Sequence, residues 1–133
     1  MNLLIYLPKN VNKAPLFVGY NFIGNHTVND DPAIILPSAW MKNDPGLGVS
    51  NNKATEQARG AGKGRWQVEK ILAAGYGLAT LYYGDVDPDK NDFTDGVHPL
   101  LYSKNQAKPH PDEWGSITAW AWGLSRVMDY FEQ

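Results

Sequence analysis

RWQVEKILAAGYGLATLYYGDVDPD, residues Arg65 to Asp89, changes periodicity twice, and those changes decide the fold class. Over Arg65–Ala74 the apolar residues Val68, Ile71 and Leu72 recur at helical spacing, which predicts a helix. Gly75 stands where such a helix stops, because the residue after the last turn takes a left-handed conformation that glycine adopts freely. Leu78–Tyr83, LATLYY, then reads as a strand, and Gly84–His110 as a polar, Pro-rich loop. A helix feeding a strand through so short a link belongs to a parallel α/β sheet.

Toward the N-terminus, Leu3–Leu7 forms a short β-like run closed by Pro8, and NVNK reads as a turn. Leu16–Phe22, LFVGYNF, is a second strand, whose continuous apolarity predicts burial on both faces. Ile23–Gly64 is rich in Asn, Asp, Gly and Pro, and a connection of that length in a small domain is usually functional or mobile. Toward the C-terminus a long helix opens at Pro111 or Asp112. Its stripe runs through Ile117, Trp120, Ala121, Leu124, Val127, Met128 and Phe131. The predicted order is strand, strand, helix, strand, helix.

Composition narrows the function. The 133 residues suffice for one modest domain, and 43% apolar with 20% charged residues is globular material. A net charge of −2 gives no electrostatic case for nucleic acid. No apolar run approaches the ~20 residues that span a bilayer, and MNLLIYLP lacks the basic start of a signal peptide. The absence of cysteine excludes disulfides, thiol catalysis and cysteine zinc sites. Five Trp and seven Tyr are core material first and sugar-stacking surfaces second.

Four motifs invite chemistry. Gly123-Leu124-Ser125-Arg126-Val127 approaches the G-x-S-x-G nucleophile elbow, but Val127 stands where the tight turn needs a small residue. The apolar stripe also runs unbroken through Ser125, which makes it an ordinary helical serine. ARGAGKGR (58–65) fails as a phosphate loop, with Gln57 at the first Gly position and Gly64 where Ser or Thr belongs. DVDPDKND (85–92) resembles a calcium loop, yet has Lys90 at the turn glycine and Gly96 at the bidentate glutamate. Its carboxylates read as solvated, helix-capping or Arg-pairing groups. His26, His98 and His110 lack zinc spacing. His26 follows the second strand, where α/β folds place their ligand crevice, and reads first as a hydrogen-bonded structural histidine and second as a site residue.

APLFVGYNFIGNHTV (14–28), the opening stretch (65–89), GVHPLLY (96–102) and DEWGSITAWAWGLSRVMDYFE (112–132) together resemble the bacterial glucuronoyl esterases and related acetyl xylan esterases, carbohydrate esterase family fifteen. Ala119–Arg126 and Gly84–Asp89 are its most specific parts. The resemblance implies a partial α/β-hydrolase fold: about three sheet strands plus flanking helices, with residues 1–133 as the N-terminal portion of a single domain, ending before the nucleophile elbow. Ala119–Tyr130 becomes the helix preceding that elbow, and nucleophile, acid and histidine are expected beyond Gln133, so no catalytic residue is assigned here. Gly24, Asn25 and His26 are left as oxyanion-loop or substrate-binding candidates, followed by Asp85 and Asp87.

The complete enzyme would cleave glucuronoyl or acetyl esters of xylan through a serine acyl-enzyme, with glucuronoxylan as partner and neither cofactor nor metal. Family resemblance places it in the secreted or periplasmic compartment. These residues alone are expected to be inactive. The nucleophile strand would pair beside Leu16–Phe22, so an open edge and self-association or domain swapping are expected. The alternative is a non-catalytic carbohydrate-binding or remnant protein using exposed Trp and Tyr.

Overall fold

The computed structural model describes residues 1–133. Its strands are β1 (Leu3–Tyr6), β2 (Leu16–Asn21), β3 (Val49–Ser50), β4 (Lys53–Ala54) and β5 (Gly77–Tyr82); its helices are α1 (Lys63–Trp66), α2 (Val68–Ala73) and α3 (Ser116–Phe131). β5 is buried along its whole length because it lies at the centre of the main sheet, in the order β1-β5-β2. β2 pairs with it in parallel, from Leu16 opposite Gly77 to Asn21 opposite Tyr82. β1 pairs antiparallel, with Leu3 opposite Leu81. The sheet is therefore mixed, a correction to the all-parallel expectation. β1 runs directly into its turn and needs no crossover to lie antiparallel.

The predicted burial of Leu16–Phe22 on both faces is also corrected. β2 lies at a sheet edge, and Phe17 is 55% and Phe22 64% exposed. The doubly buried strand is β5. An apolar run shows that a strand carries apolar surface; position in the sheet decides whether that surface is covered.

The two-residue side-chain period of β5 separates two cores. Leu78, with Leu4 and Tyr6 of β1, meets Val28, Val68, Ile71 and Leu72 on one face. Leu81, with Leu3, Val18 and Tyr20, meets Ala119, Leu124 and Val127 of α3 on the other. The result is a helix–sheet–helix sandwich. A third cluster, Met41, Val49 and Tyr82, anchors the small β3–β4 hairpin near the C-terminal end of β5.

The helix expected over Arg65–Ala74 is interrupted at Gln67, whose φ of 45° ends α1 and starts α2. Residues two apart on a continuous helix point to different sides. The break lets Trp66 and Val68 both pack into the same cluster. The final helix starts at Ser116 rather than at Pro111 or Asp112. Gly115 is extended there, and Trp114 folds back onto the α3-side core. The helix persists through Ser125 as expected, but its buried face is shifted from the expected stripe: Ala119, Gly123 and Val127 are buried, whereas Ile117, Ala121 and Met128 are exposed. No helix is long and apolar enough to cross a membrane.

Candidate functional site

The C-terminal ends of β2 and β5 lie side by side, and their loops carry the residues singled out above. β2 ends at Asn21, which is buried. Its Oδ1 accepts the Gly24 amide at 2.6 Å, and its Nδ2 donates to Asn25 Oδ1 at 2.5 Å and to Thr80 Oγ1 of β5 at 3.1 Å. Gly24 has a φ of +104°, and a Cβ there would lie 2.8 Å from both the His26 ring and Pro37, so only glycine fits. The Thr27 hydroxyl donates to the Gly24 carbonyl at 2.9 Å, and Asn25 Nδ2 to the Asn2 carbonyl at 2.8 Å. Gly24, Asn25 and His26 thus form one buried knot at the strand end.

Two features bear on its chemistry. The Gly24 amide is committed to Asn21, which removes it from the donors available to a bound oxyanion. His26 is 1% exposed and neither ring nitrogen has a hydrogen-bond partner. The ring is packed rather than hydrogen-bonded, unlike the hydrogen-bonded histidine expected from the sequence. Burial, aided by the Arg59 charge and opposed by Glu56, lowers its pKa and keeps the imidazole neutral.

Beyond β5, Asp85 accepts the Asn2 amide at 3.0 Å, tying the chain's first residues to this loop. Asp87 is 1% exposed and faces inward. Its Oδ2 lies 3.5 Å from Nε2 of His98, itself buried, among Phe93, Tyr102 and Trp114. Burial raises the Asp87 pKa, against the pull of the Ser116 hydroxyl and the His98 ring. The Asp87 carbonyl accepts the Trp120 indole N–H at 2.8 Å, which fixes the loop to α3. The five candidates are therefore brought to one end of the sheet, but the His26 and Asp87 side chains are sealed beneath the surface.

An aromatic cluster lies there, with Phe22 exposed, Tyr83 and Trp120 half-buried and Tyr82 buried beneath. Phe22 packs on Tyr83 at 5.0 Å, and Tyr83 meets Tyr82 and Trp120 edge-on at 5.0 and 5.2 Å. A groove of about 240 Å³ runs between Phe22, Ile23, Met41, Tyr82 and Tyr83. Asn21 and Thr80 went unnoticed in the sequence, although each is a polar residue in an apolar strand, a usable signal of a buried hydrogen-bond junction.

The other motifs are elsewhere. Ser125 lies on the exposed side of α3, and its hydroxyl accepts from Arg126 at 3.1 Å. Lys63 pairs with Asp30 rather than facing a phosphate cradle. Lys90 bridges Asp92 and Asp95 in the acidic loop at 3.0 and 2.9 Å, and no group of three or more His, Asp or Glu is placed to hold a metal ion. Of the five Trp, Trp122 is exposed with Arg126 over its ring, and the other four are half-buried.

No family profile matches the chain. It is 49% identical, over 99% of its own length, to carbohydrate esterase MZ0003 from an unknown prokaryotic organism. It superimposes on a promiscuous CE15 esterase from the marine bacterial metagenome with a TM-score of 0.79 at 50% identity. On a glucuronoyl esterase from Solibacter usitatus the TM-score is 0.82 at 45% identity. In both structures 98% of this chain is covered. The chain spans about a third of the relatives it matches, 31% of the first and 32% of each solved structure. Near-complete coverage of this chain at this identity makes it a part-length relative of the family-fifteen carbohydrate esterases, and its sheet and covering helices match the N-terminal part of their α/β-hydrolase fold.

Proposed function

We propose that residues 1–133 supply the N-terminal portion of an α/β-hydrolase domain that hydrolyses glucuronoyl or acetyl esters of xylan, and that they are inactive by themselves. The observation carrying this reading is the placement of Ser125. A nucleophile needs a base within hydrogen-bond reach, whereas Ser125 sits mid-helix with Arg126 as its side-chain partner. The chemistry then belongs to a serine, acid and histidine outside these residues. The knot at Gly24, Asn25 and His26 and the loop at Asp85 and Asp87 form one wall of the substrate cleft. Asn21 and Thr80 position the first, and Trp120 the second. The substrate is glucuronoxylan, met outside the cytoplasm.

Grafting tests this. Residues 1–133 replace the matching stretch of carbohydrate esterase MZ0003, and hydrolysis of a methyl glucuronate ester is measured. The graft is expected to turn over and the isolated chain not to. Turnover by the isolated chain that Ser125→Ala abolishes would overturn the reading.

A further inference from the structure

Resting on that reading, we infer that Asn25 is a positioning residue of the esterase cleft: through the Asn2 backbone it locks the loop after β2 to the loop after β5. Ring packing of Phe22 on Tyr83 brings the two loops together but is non-directional. Direction comes from a path of hydrogen bonds through the residue before β1. Asn25 Nδ2 donates to the Asn2 carbonyl at 2.8 Å, and the Asn2 amide donates to Asp85 Oδ2 at 3.0 Å. Asn2 is itself held by the strand it precedes, whose Leu3 pairs with Leu81 of β5.

The polarity of this path is fixed from end to end. The Gly24 amide can only donate, so Asn21 turns its Oδ1 toward it, at 2.6 Å. That leaves Asn21 Nδ2 as the donor to Asn25 Oδ1 at 2.5 Å, and Asn25 Nδ2 as the donor to Asn2. The Asp85 carboxylate, an acceptor, closes the path at the Asn2 amide. Both asparagines are buried, so a lost partner is not replaced by bulk water. Asn25 therefore needs an acceptor on one side and a donor on the other. Aspartate has the shape of asparagine but supplies no donor once ionised. Asp85 reaches the loop after β2 through Asn2, so a change at Asp85 is felt at Gly24–Thr27 although no hydrogen bond joins them directly. On the esterase reading these loops form one cleft wall. Their relative position sets where an ester carbonyl rests, so slackening the lock lowers kcat more than it raises KM.

The test places Asn25→Asp, Asp85→Ala or Asp85→Asn in the graft of residues 1–133 onto the rest of carbohydrate esterase MZ0003. Values of kcat and KM for a methyl glucuronate ester are measured from pH 5 to 8, where unfolding curves show each graft folded. At pH 8 Asn25→Asp is expected to lower kcat about 10-fold and to change KM by less than about 2-fold. Its kcat relative to the parent graft is expected to recover as pH falls, because a protonated carboxyl donates to Asn2 again. Asp85→Ala, at the more exposed end of the path, is expected to lower kcat about 3-fold, and Asp85→Asn, which keeps an acceptor oxygen, to restore it. In residues 1–133 alone, Asp85→Ala is expected to raise hydrogen exchange at residues 24–28. Equal kcat in the parent and Asp85→Ala grafts, a loss by Asn25→Asp that acid does not reverse, or unchanged exchange at residues 24–28 would overturn the inference. An inactive parent graft counts against the esterase reading; the exchange of Asp85→Ala then decides the lock, raised exchange supporting it and unchanged exchange defeating it.

Discussion

Gly123 explains what the serine motif conceals. A Cβ there would lie 2.4 Å from the Tyr20 hydroxyl and 2.8 Å from Val86, so the glycine sets how closely α3 approaches the sheet. At that contact the Tyr20 hydroxyl donates to the Trp120 carbonyl at 2.6 Å. Burial pushes its pKa up to about 12, so it remains a donor. Gly123→Ala gains about 1 kcal/mol of helix propensity but overpacks this contact by about 1–3 kcal/mol. Chemical denaturation is expected to show net destabilisation, and a more stable variant would contradict the contact. The two buried titrating groups act in opposite directions. The Asp87 pKa is raised above 3.8, so its contribution is full below that pH and is lost as pH rises through the folded value. His26 is lowered below 6.5, so its contribution is present above 6.5 and is lost as pH falls. Asp87→Asn should remove the loss of stability on the rising side, and His26→Gln the loss on the falling side, in unfolding midpoints followed from pH 4 to 8. Identical profiles for wild type and both variants would contradict these environments.

At the scale of elements, periodicity was legible wherever local pattern and tertiary position agreed. α3 runs through Ser125 as its stripe predicts, and β5 differs from its expected span by one residue at each end. The break at Gln67 was not legible, because the stripe of Val68, Ile71 and Leu72 is satisfied with or without it. What requires the break is Trp66 reaching the same cluster, a long-range contact. The strand-end loops were expected to be the ligand side from topology alone, and the structure brings them to one end of the sheet. Their interior was not legible, because the hydrogen bonds from Asn21 to Thr80 and from Asn25 to Asn2 join segments far apart in sequence. Asn21→Ala is expected to leave Gly24 and Thr80 short of partners, at about 1–3 kcal/mol, and to raise hydrogen exchange across residues 22–28. Protection unchanged in that segment would contradict the knot.

For the molecule as a whole, the sheet is covered by helices on both faces, and β1 and β2 are its two edges; β2 is the one that carries an exposed apolar strand without charge or proline. Without a strand to complete it, that edge is expected to recruit another copy, so residues 1–133 alone should sediment as dimers or larger species. A compact monomer with one cooperative unfolding transition would contradict this. The resemblance in four stretches of sequence was enough to indicate the family, since those stretches form the central strand, its flanking loop and the covering helix. The edge beside Leu16–Phe22 was expected from the resemblance; the antiparallel β1 on the far side of β5 required the structure. On the proposed reading, these residues form one wall of an esterase cleft whose reacting serine lies outside them, and the decisive measurement is hydrolysis of a methyl glucuronate ester. Residues 1–133 grafted onto the rest of carbohydrate esterase MZ0003 are expected to turn over and residues 1–133 alone are not; an inactive but folded graft, or Ser125-dependent turnover by the isolated chain, would overturn that reading.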